Sequence, residues 1–252
     1  MSLIRIETHG QVRTVTLERP EKRNAINPEM MDLLIEAFQA APGPDERVTV
    51  LRSVGPVFCS GLQLSTSGVD ANEAIRIEEM FSAVQNYPCP VVAQVQGAAI
   101  AGGCELALHC DFIVAADDAP FAMPLAQIGV STTWFLTKKL IEAGGPTVTR
   151  EFLLLGDPLS GERLHQLGIV TRVANVDDLD AAVAKLTSRL AKNAPMSMYT
   201  MKRLINRHAS LYLDVVTHED LDVEVADVYA SEDAVEGVAA RVEKRSPTFK
   251  GV

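Results

Sequence analysis

The chain has 252 residues, 47% apolar and 22% charged, with a formal charge of −10. This composition suits one large globular unit that buries most of its surface, and the acidic balance without a Lys/Arg run excludes nucleic acid as an expected partner. No apolar run reaches the roughly 18 residues that span a bilayer, and MSLIRIETHG lacks the basic and apolar regions of a signal peptide, so no membrane partner and a cytoplasmic location are expected.

In chain order, LIRIETHGQVRTVTLER alternates with period two around His9-Gly10-Gln11 and predicts an antiparallel hairpin. Asn27-Pro28-Glu29 combines an N-cap, a first-turn proline and an acid, and Met30, Leu33, Leu34, Ala37 and Phe38 continue at helical spacing. Residues 48–54 read as a strand, 55–68 as a loop of small residues and 71–86 as a helix that ends before Pro88-Cys89-Pro90. VVAQVQG (91–97) reads as a strand, GGCELALHC (102–110) as a short helix and DFIVAA (111–116) as a strand. Helices are predicted at 133–142 and 147–155, split by Gly144-Gly145-Pro146. Further helices follow at 177–193, 195–209, 214–230 and 232–244. Short strand–helix units in front and helices behind predict an α/β fold, with a boundary near Pro195 separating residues 1–194 from 195–252. Cys59, Cys89, Cys104 and Cys110 form no CxxC pair and no Cys/His ligand spacing, so they read as buried free thiols and no metal site is expected.

Chemistry concentrates in two stretches. In GAAIAGGCELALHCD (97–111), Gly102 and Gly103 stand where a strand hands over to a helix, whose first amides have no internal partner. In FCSGLQL (58–64), Gly61 lets the amide of Leu62 be presented from a loop. Two such amides aimed at one oxygen form an oxyanion hole, with each donor worth about 2.7–4 kcal/mol in the transition state. Glu105 lies among Cys104, Leu106, Ala107 and Leu108. It serves either as an acid that complements the helix dipole or, if buried, as a carboxyl whose pKa is raised into the range of a general acid/base. His109, four residues on, shares its helical face.

Five segments, in order, carry a resemblance. RPEKRNAIN is similar to an RPxxxNA segment, FCSGLQL to FxAGxDL, and GAAIAGGCELALHCDFIVAADDAPFAMP to a signature region. LLLGDPLSGERLHQLGIVTRV is similar to LTG…A…A…GLV, and DAVEGVAARVEKRSPTF to a closing EG…F…KR.P.F pattern. On these the chain resembles the enoyl-CoA hydratase/isomerase (crotonase) family. The resemblance implies a spiral of ββα units with a helical C-terminal trimerisation region that packs on a neighbour, and a homotrimer or hexamer. It implies an acyl-CoA thioester as substrate, with coenzyme A entering only as part of that substrate and no other cofactor.

The same resemblance places the catalytic amides at Leu62 and Gly102 and the acid/base at Glu105. It puts coenzyme A contacts at Lys22, Arg23, Ser60, Gly61 and Leu62, and an adenine-side contact from a neighbouring subunit at Phe249 and Lys250. The hydratases carry a second glutamate in FGxPE. Here the segment is FAMPL, so Leu125 stands in its place, and Thr132-Thr133-Trp134-Phe135-Leu136 replaces the family's PGxGG. Leu125, Thr133 and Trp134 are therefore expected to line a drier, narrower acyl pocket, Thr132 and Thr133 being able to hold a water or cap the next helix. Hydration of 2-enoyl-CoA on Glu105 alone is the leading expectation. Double-bond isomerisation and thioester hydrolysis are the enzymatic alternatives, and a non-catalytic acyl-CoA-binding protein is the alternative of another class.

Overall fold

A computed structural model describes residues 2–63, 71–210 and 219–250. The predicted hairpin is β1 (Ile4–His9) and β2 (Val12–Leu17), paired antiparallel from Ile4 opposite Leu17 to His9 opposite Val12. Asn27 caps α1 (Pro28–Gln39) by accepting from the Met30 amide, and the helix buries Met30, Met31, Leu34, Ala37 and Phe38. Then the chain repeats one move. It runs β3 (Val48–Ser53), β4 (Val57–Cys59) and α2 (Ala71–Asn86), next β5 (Val91–Val95), β6 (Ala98–Ile100) and α3 (Gly102–Leu108), next β7 (Phe112–Ala116) and β8 (Pro120–Ala122) before α4 (Trp134–Arg150).

The first strand of each repeat joins one sheet and the second joins another. β9 (Leu159–Ser160) and β10 (Arg172–Ala174) complete them, giving a six-stranded sheet β1-β2-β3-β5-β7-β10 and a four-stranded sheet β4-β6-β8-β9. In the larger sheet every pairing after the hairpin is parallel. This is the expected spiral of ββα units. It also corrects two readings: of 91–97 only Val91–Val95 is strand, β5, followed by a turn into β6, and residues 57–59, expected in a loop, are the strand β4. The break is forced at Gly97, where a Cβ would stand 2.0 Å from the Pro56 carbonyl oxygen.

Strands covered on both faces read as unbroken apolar runs, and β3 and β5 are such strands. Val91, Ala93 and Val95 enter the main core between the sheets, while Val92, with Val48, Val50 and Val114, faces the other way. That outer face is covered by α6 (Leu179–Ala191), which follows α5 (Gly161–Gln166) and buries Leu179, Val183, Leu186 and Leu190 against it. At about 1.5–3 kcal/mol for each buried aliphatic side chain, this stripe suffices to hold the helix without specific polar contacts. All four cysteines are buried and free.

The two helices expected across Gly144-Gly145-Pro146 abut. α4 continues to Arg150 with a kink at Gly145 (φ 68°), where the left-handed backbone accommodates the proline, and a π turn follows over Glu151–Leu155. Behind them lie α7 (Pro195–Ser210), α8 (Glu219–Ala230) and α9 (Glu232–Glu243). The expected start of the penultimate helix, 214–218, lies outside the described residues.

Within the tail, α9 packs on its own chain. Ala234 and Val238 bury with Val130, and a Cβ on Gly237 would meet the Ile128 carbonyl oxygen at 2.2 Å. α7 is tied down by an ion pair between a buried lysine and a partly exposed carboxylate: Lys202 Nζ donates to Asp111 Oδ2 (2.6 Å) and to the Cys89 carbonyl (3.1 Å), while the same carboxylate accepts from the Val91 amide (2.7 Å). Lys202→Met removes the cation from this partly exposed carboxylate, which costs about 1–3 kcal/mol, between the values of an exposed and a buried pair. Chemical denaturation of Lys202→Met against wild type is expected to show a loss of that size, and Lys202→Met with Asp111→Asn is expected to recover part of it.

Candidate active site

A cavity of about 380 Å³ opens between the start of α3, the Ala126–Ile128 turn and α9. Its wall includes Ser60, Leu62, Gly102, Glu105, Leu125 and Thr133. These six residues were singled out from the sequence, and the fold gathers them onto one wall from three separate segments of the chain.

The corner where β4 ends and α3 begins is set by glycine. A Cβ on Gly103 would lie 2.1 Å from the Cys59 carbonyl oxygen, so only glycine lets α3 sit this close to β4. Gly61 has φ 88°, and a Cβ there would come within 2.8 Å of the Ile100 carbonyl oxygen and 3.1 Å of the Gly102 nitrogen. The Gly61 carbonyl accepts from the Ile26 amide and the Gln63 amide donates to the Ile26 carbonyl, both at 2.8 Å. Extended backbone alternates its amides from side to side, so the intervening Leu62 amide faces away from Ile26. The Leu62 nitrogen lies beside Gly102, where a Cβ would stand 3.5 Å from it.

Gly102 is the first residue of α3, and its amide has no acceptor within the helix. Ala101 just before it holds φ 50° and ψ −116°, a conformation that costs a non-glycine residue about 1–3 kcal/mol and persists only where its surroundings fix it. Here its amide donates to the Ala122 carbonyl (2.7 Å) and its carbonyl accepts from the Glu105 amide (3.0 Å). The backbone strain at Ala101 lies directly before Gly102, which lines the cavity.

Glu105 is fully buried, and neither carboxyl oxygen has a hydrogen-bond partner among the described residues. Buried polar groups are nearly always paired, so an orphaned carboxyl facing a cavity marks a group kept for chemistry. Burial pushes its pKa well above the ordinary carboxylate value, and Lys139 offsets this only in part. His109 does not orient it. The imidazole Nδ1 bonds the Glu105 backbone carbonyl (2.8 Å) and stands 3.6 Å from Oε2, beyond hydrogen-bond reach. His109 is stacked between Phe81 and Phe135, at 4.9 and 5.4 Å, and burial lowers its pKa to about 3, so it is a neutral core side chain.

Leu125 lines the wall as expected. Thr133 caps α4 by accepting from the Leu136 amide (3.5 Å), and its hydroxyl donates to Glu78 Oε1 (2.5 Å). Trp134, expected beside it in the pocket, begins α4 and does not line the cavity; Leu136, two residues on, does. Lys22 and Arg23 are exposed and off the cavity wall, joined to it only through the Arg23 carbonyl, which accepts from the Ser60 amide (3.1 Å). Phe249 is exposed, and Lys250 turns back on its own chain, its amide donating to Asp233 and its ammonium to Glu232.

Sequence reasoning missed the far wall. Tyr229 of α8 and Gly237, Arg241 and Arg245 of α9 or just beyond it line the cavity. A signal was present: the closing pattern's phenylalanine has no counterpart between Gly237 and Lys244, and Arg241 stands in that interval.

Gly61→Ala forces a Cβ against the Ile100 carbonyl and the Gly102 amide. It is expected to lower kcat by about 10²–10³-fold, the loss of one oxyanion donor, while the melting curve shifts far less than activity. For Glu105, the folded pKa is raised, so the folded state binds more protons than the unfolded one and stability falls as pH rises above the unfolded carboxyl value. Glu105→Gln removes that cost. Melting temperatures are expected to be higher for Glu105→Gln than for wild type at pH 8, with the gap closing toward pH 4; a gap that widens on acidification would mean that the carboxyl is ionised and paired.

Comparison with known proteins agrees with this geometry. The family profile described as "Enoyl-CoA hydratase/isomerase" matches residues 7–252. A probable enoyl-CoA hydratase of Mycobacterium leprae is 33% identical, covering 95% of this chain and 96% of its own. The 2,3-dehydroadipyl-CoA hydratase of Escherichia coli is 27% identical over the full length of both. Among solved structures, an enoyl-CoA hydratase of Mycobacterium avium subsp. paratuberculosis superposes with a TM-score of 0.86 at 26% identity, over 98% of each chain. A methylmalonyl-CoA decarboxylase complexed with 2-nitronate-propionyl-CoA shares the fold at a TM-score of 0.90 and 24% identity, over 99% of each. The spiral of ββα units, the glycine-built corner and the match over nearly the whole chain together make this protein a member of the enoyl-CoA hydratase/isomerase (crotonase) family.

Proposed function

We propose that the protein hydrates 2-enoyl-CoA to 3-hydroxyacyl-CoA through a thioester enolate, with Glu105 as its sole acid/base. The observation that carries this is the buried, unpartnered Glu105 carboxyl on the same cavity wall as Leu62 and Gly102. In this reading the thioester oxygen accepts from the Leu62 and Gly102 amides. As Glu105 takes a proton from water, the water oxygen bonds to C3 and the C2–C3 π pair moves onto the thioester oxygen. The enolate then collapses, and Glu105 returns the proton to C2. Water adds across the double bond and the carboxylate is regenerated.

The names of the hydratase relatives support the reaction class. Thr133 supports a place for the water: with one donation and one acceptance already made, its hydroxyl keeps one lone pair. Coenzyme A enters as part of the substrate, and Lys22 and Arg23, beside Ser60 and Gly61, are assigned to its phosphates. The exposed apolar side chains of α7, Met196, Met201, Leu204 and Ile205, are assigned to contacts between copies in a trimer or hexamer.

Leu125 favours a second reading. An apolar wall near the carboxyl suits a water-free shuttle, in which Glu105 carries a proton between C4 and C2 and moves the double bond. Crotonyl-CoA in oxygen-18 water, followed by mass spectrometry with Glu105→Gln alongside, separates the two. Hydration gives a labelled 3-hydroxyacyl product that falls by about 10²–10⁴-fold in the variant, while affinity for the thioester is kept. No label, together with conversion of a 3-enoyl-CoA to the 2-enoyl isomer, selects isomerisation. Binding without turnover of either, or thioester hydrolysis that persists in Glu105→Gln, overturns the proposal.

A further inference from the structure

The cavity wall is mostly apolar, and its ionisable side chains among the described residues are Glu105, Tyr229, Arg241 and Arg245. Two of these are guanidinium cations, and they differ. Arg245 is clasped: Nη1 and Nη2 donate to the two Glu236 oxygens (2.6 and 2.7 Å) and Nε donates to Glu243 (2.6 Å). The Arg241 side chain has no hydrogen bond or ion pair among the described residues. Its helix provides none, because the positions three and four away on α9 are Gly237, Val238, Lys244 and Arg245, without an acid.

Its place in the fold is informative. Gly237, one turn earlier, packs on the Ile128 carbonyl, so Arg241 belongs to the wall built by Leu125 and the Ala126–Ile128 turn. Lys22 and Arg23 attach instead to the Ser60–Leu62 wall. A thioester whose oxygen sits between Leu62 and Gly102 sends its coenzyme one way and its acyl group the other. We propose that Arg241 receives a carboxylate borne by the acyl group, so that the substrates are coenzyme A monothioesters of dicarboxylic acids. This rests on the acyl-CoA reading above and narrows it.

The chemistry agrees. A guanidinium matches a carboxylate with two parallel hydrogen bonds, and a cation exposed at the cavity mouth gives up little hydration until its partner arrives. Among the described residues the cavity wall holds one carboxyl, Glu105, and its oxygens do not engage Arg241. The alternative role for Arg241 is to complement the dipole at the end of α9. That role touches stability and leaves ligand choice unchanged.

The experiment is calorimetric binding of saturated, unreactive thioesters in matched pairs: glutaryl- against pentanoyl-CoA, adipyl- against hexanoyl-CoA and suberyl- against octanoyl-CoA, with free coenzyme A alongside. In wild type, at least one dicarboxylic member is expected to bind about tenfold tighter than its partner, the yield of one charge-assisted pair. Arg241→Gln is expected to bring that ratio within about twofold and leave free coenzyme A unchanged, and Arg241→Lys to keep part of it. Equal binding within every pair in wild type overturns the inference, whatever the variants do, and leaves the acyl-CoA reading standing. A preference that survives Arg241→Gln, or an equal weakening of free coenzyme A and every thioester, overturns it too, the latter assigning Arg241 to the coenzyme phosphates. Failure of all thioesters to bind the folded protein removes the acyl-CoA reading itself.

Discussion

The chemistry of this protein depends on how closely the first turn of α3 approaches the end of β4. With a Cβ on Gly103 only 2.1 Å from the Cys59 carbonyl oxygen, any other residue would push the helix off the strand. That contact places the Gly102 and Leu62 amides on one corner and fixes the depth at which Glu105 enters the cavity. Ala101 stores strain at the joint, and its two backbone hydrogen bonds, to β8 and to α3, hold it there. The smaller sheet, which supplies β4, β6 and β8, is in effect the frame of this corner. Its strands are only two or three residues each, so their register comes from the larger sheet behind them.

Placing a carboxyl where nothing hydrogen-bonds it carries a cost in stability, and the rest of the fold tolerates that cost because its core is large. It also settles what the group can do. A carboxyl pushed toward protonation by its surroundings holds a proton more readily than an exposed glutamate or one paired with a cation. His109 is kept out of this role by its own backbone bond and by two aromatic faces. Across the cavity, Leu125 removes one route for water, and the hydroxyl of Thr133, anchored by Glu78, retains another.

The tail completes the site. α9 lies on the Ala126–Ile128 turn through glycine contacts at Gly129 and Gly237, each too close for a side chain. Tyr229, Arg241 and Arg245 thereby join a cavity whose other wall comes from residues 60–136. The local helix signals of α9, a Ser231 cap and an acidic first turn, explain why it forms; they carry nothing about where it docks. Its docking on its own chain leaves the apolar stripe of α7 as the outward-facing surface of the tail.

The sequence by itself determined the family and brought forward the residues that meet at the cavity, because these rest on residues near one another in the chain: glycines at strand–helix junctions, Glu105 three positions after Gly102, and Leu125 at fixed spacing. It also determined most helices, since caps and 3.6-residue periodicity are local. Only the tertiary structure decided which face of each short strand joins which sheet, because strands of three residues carry too little alternation to show it. It alone decided that Trp134 turns away while Leu136 lines the cavity, and that His109 is sandwiched instead of orienting Glu105. Above all it decided that Arg241, which the sequence did not single out, stands on the wall of a cavity with no acid pairing it among the described residues. That outcome depends on α9 folding back across more than a hundred residues, and no local pattern encodes the contact that brings it there.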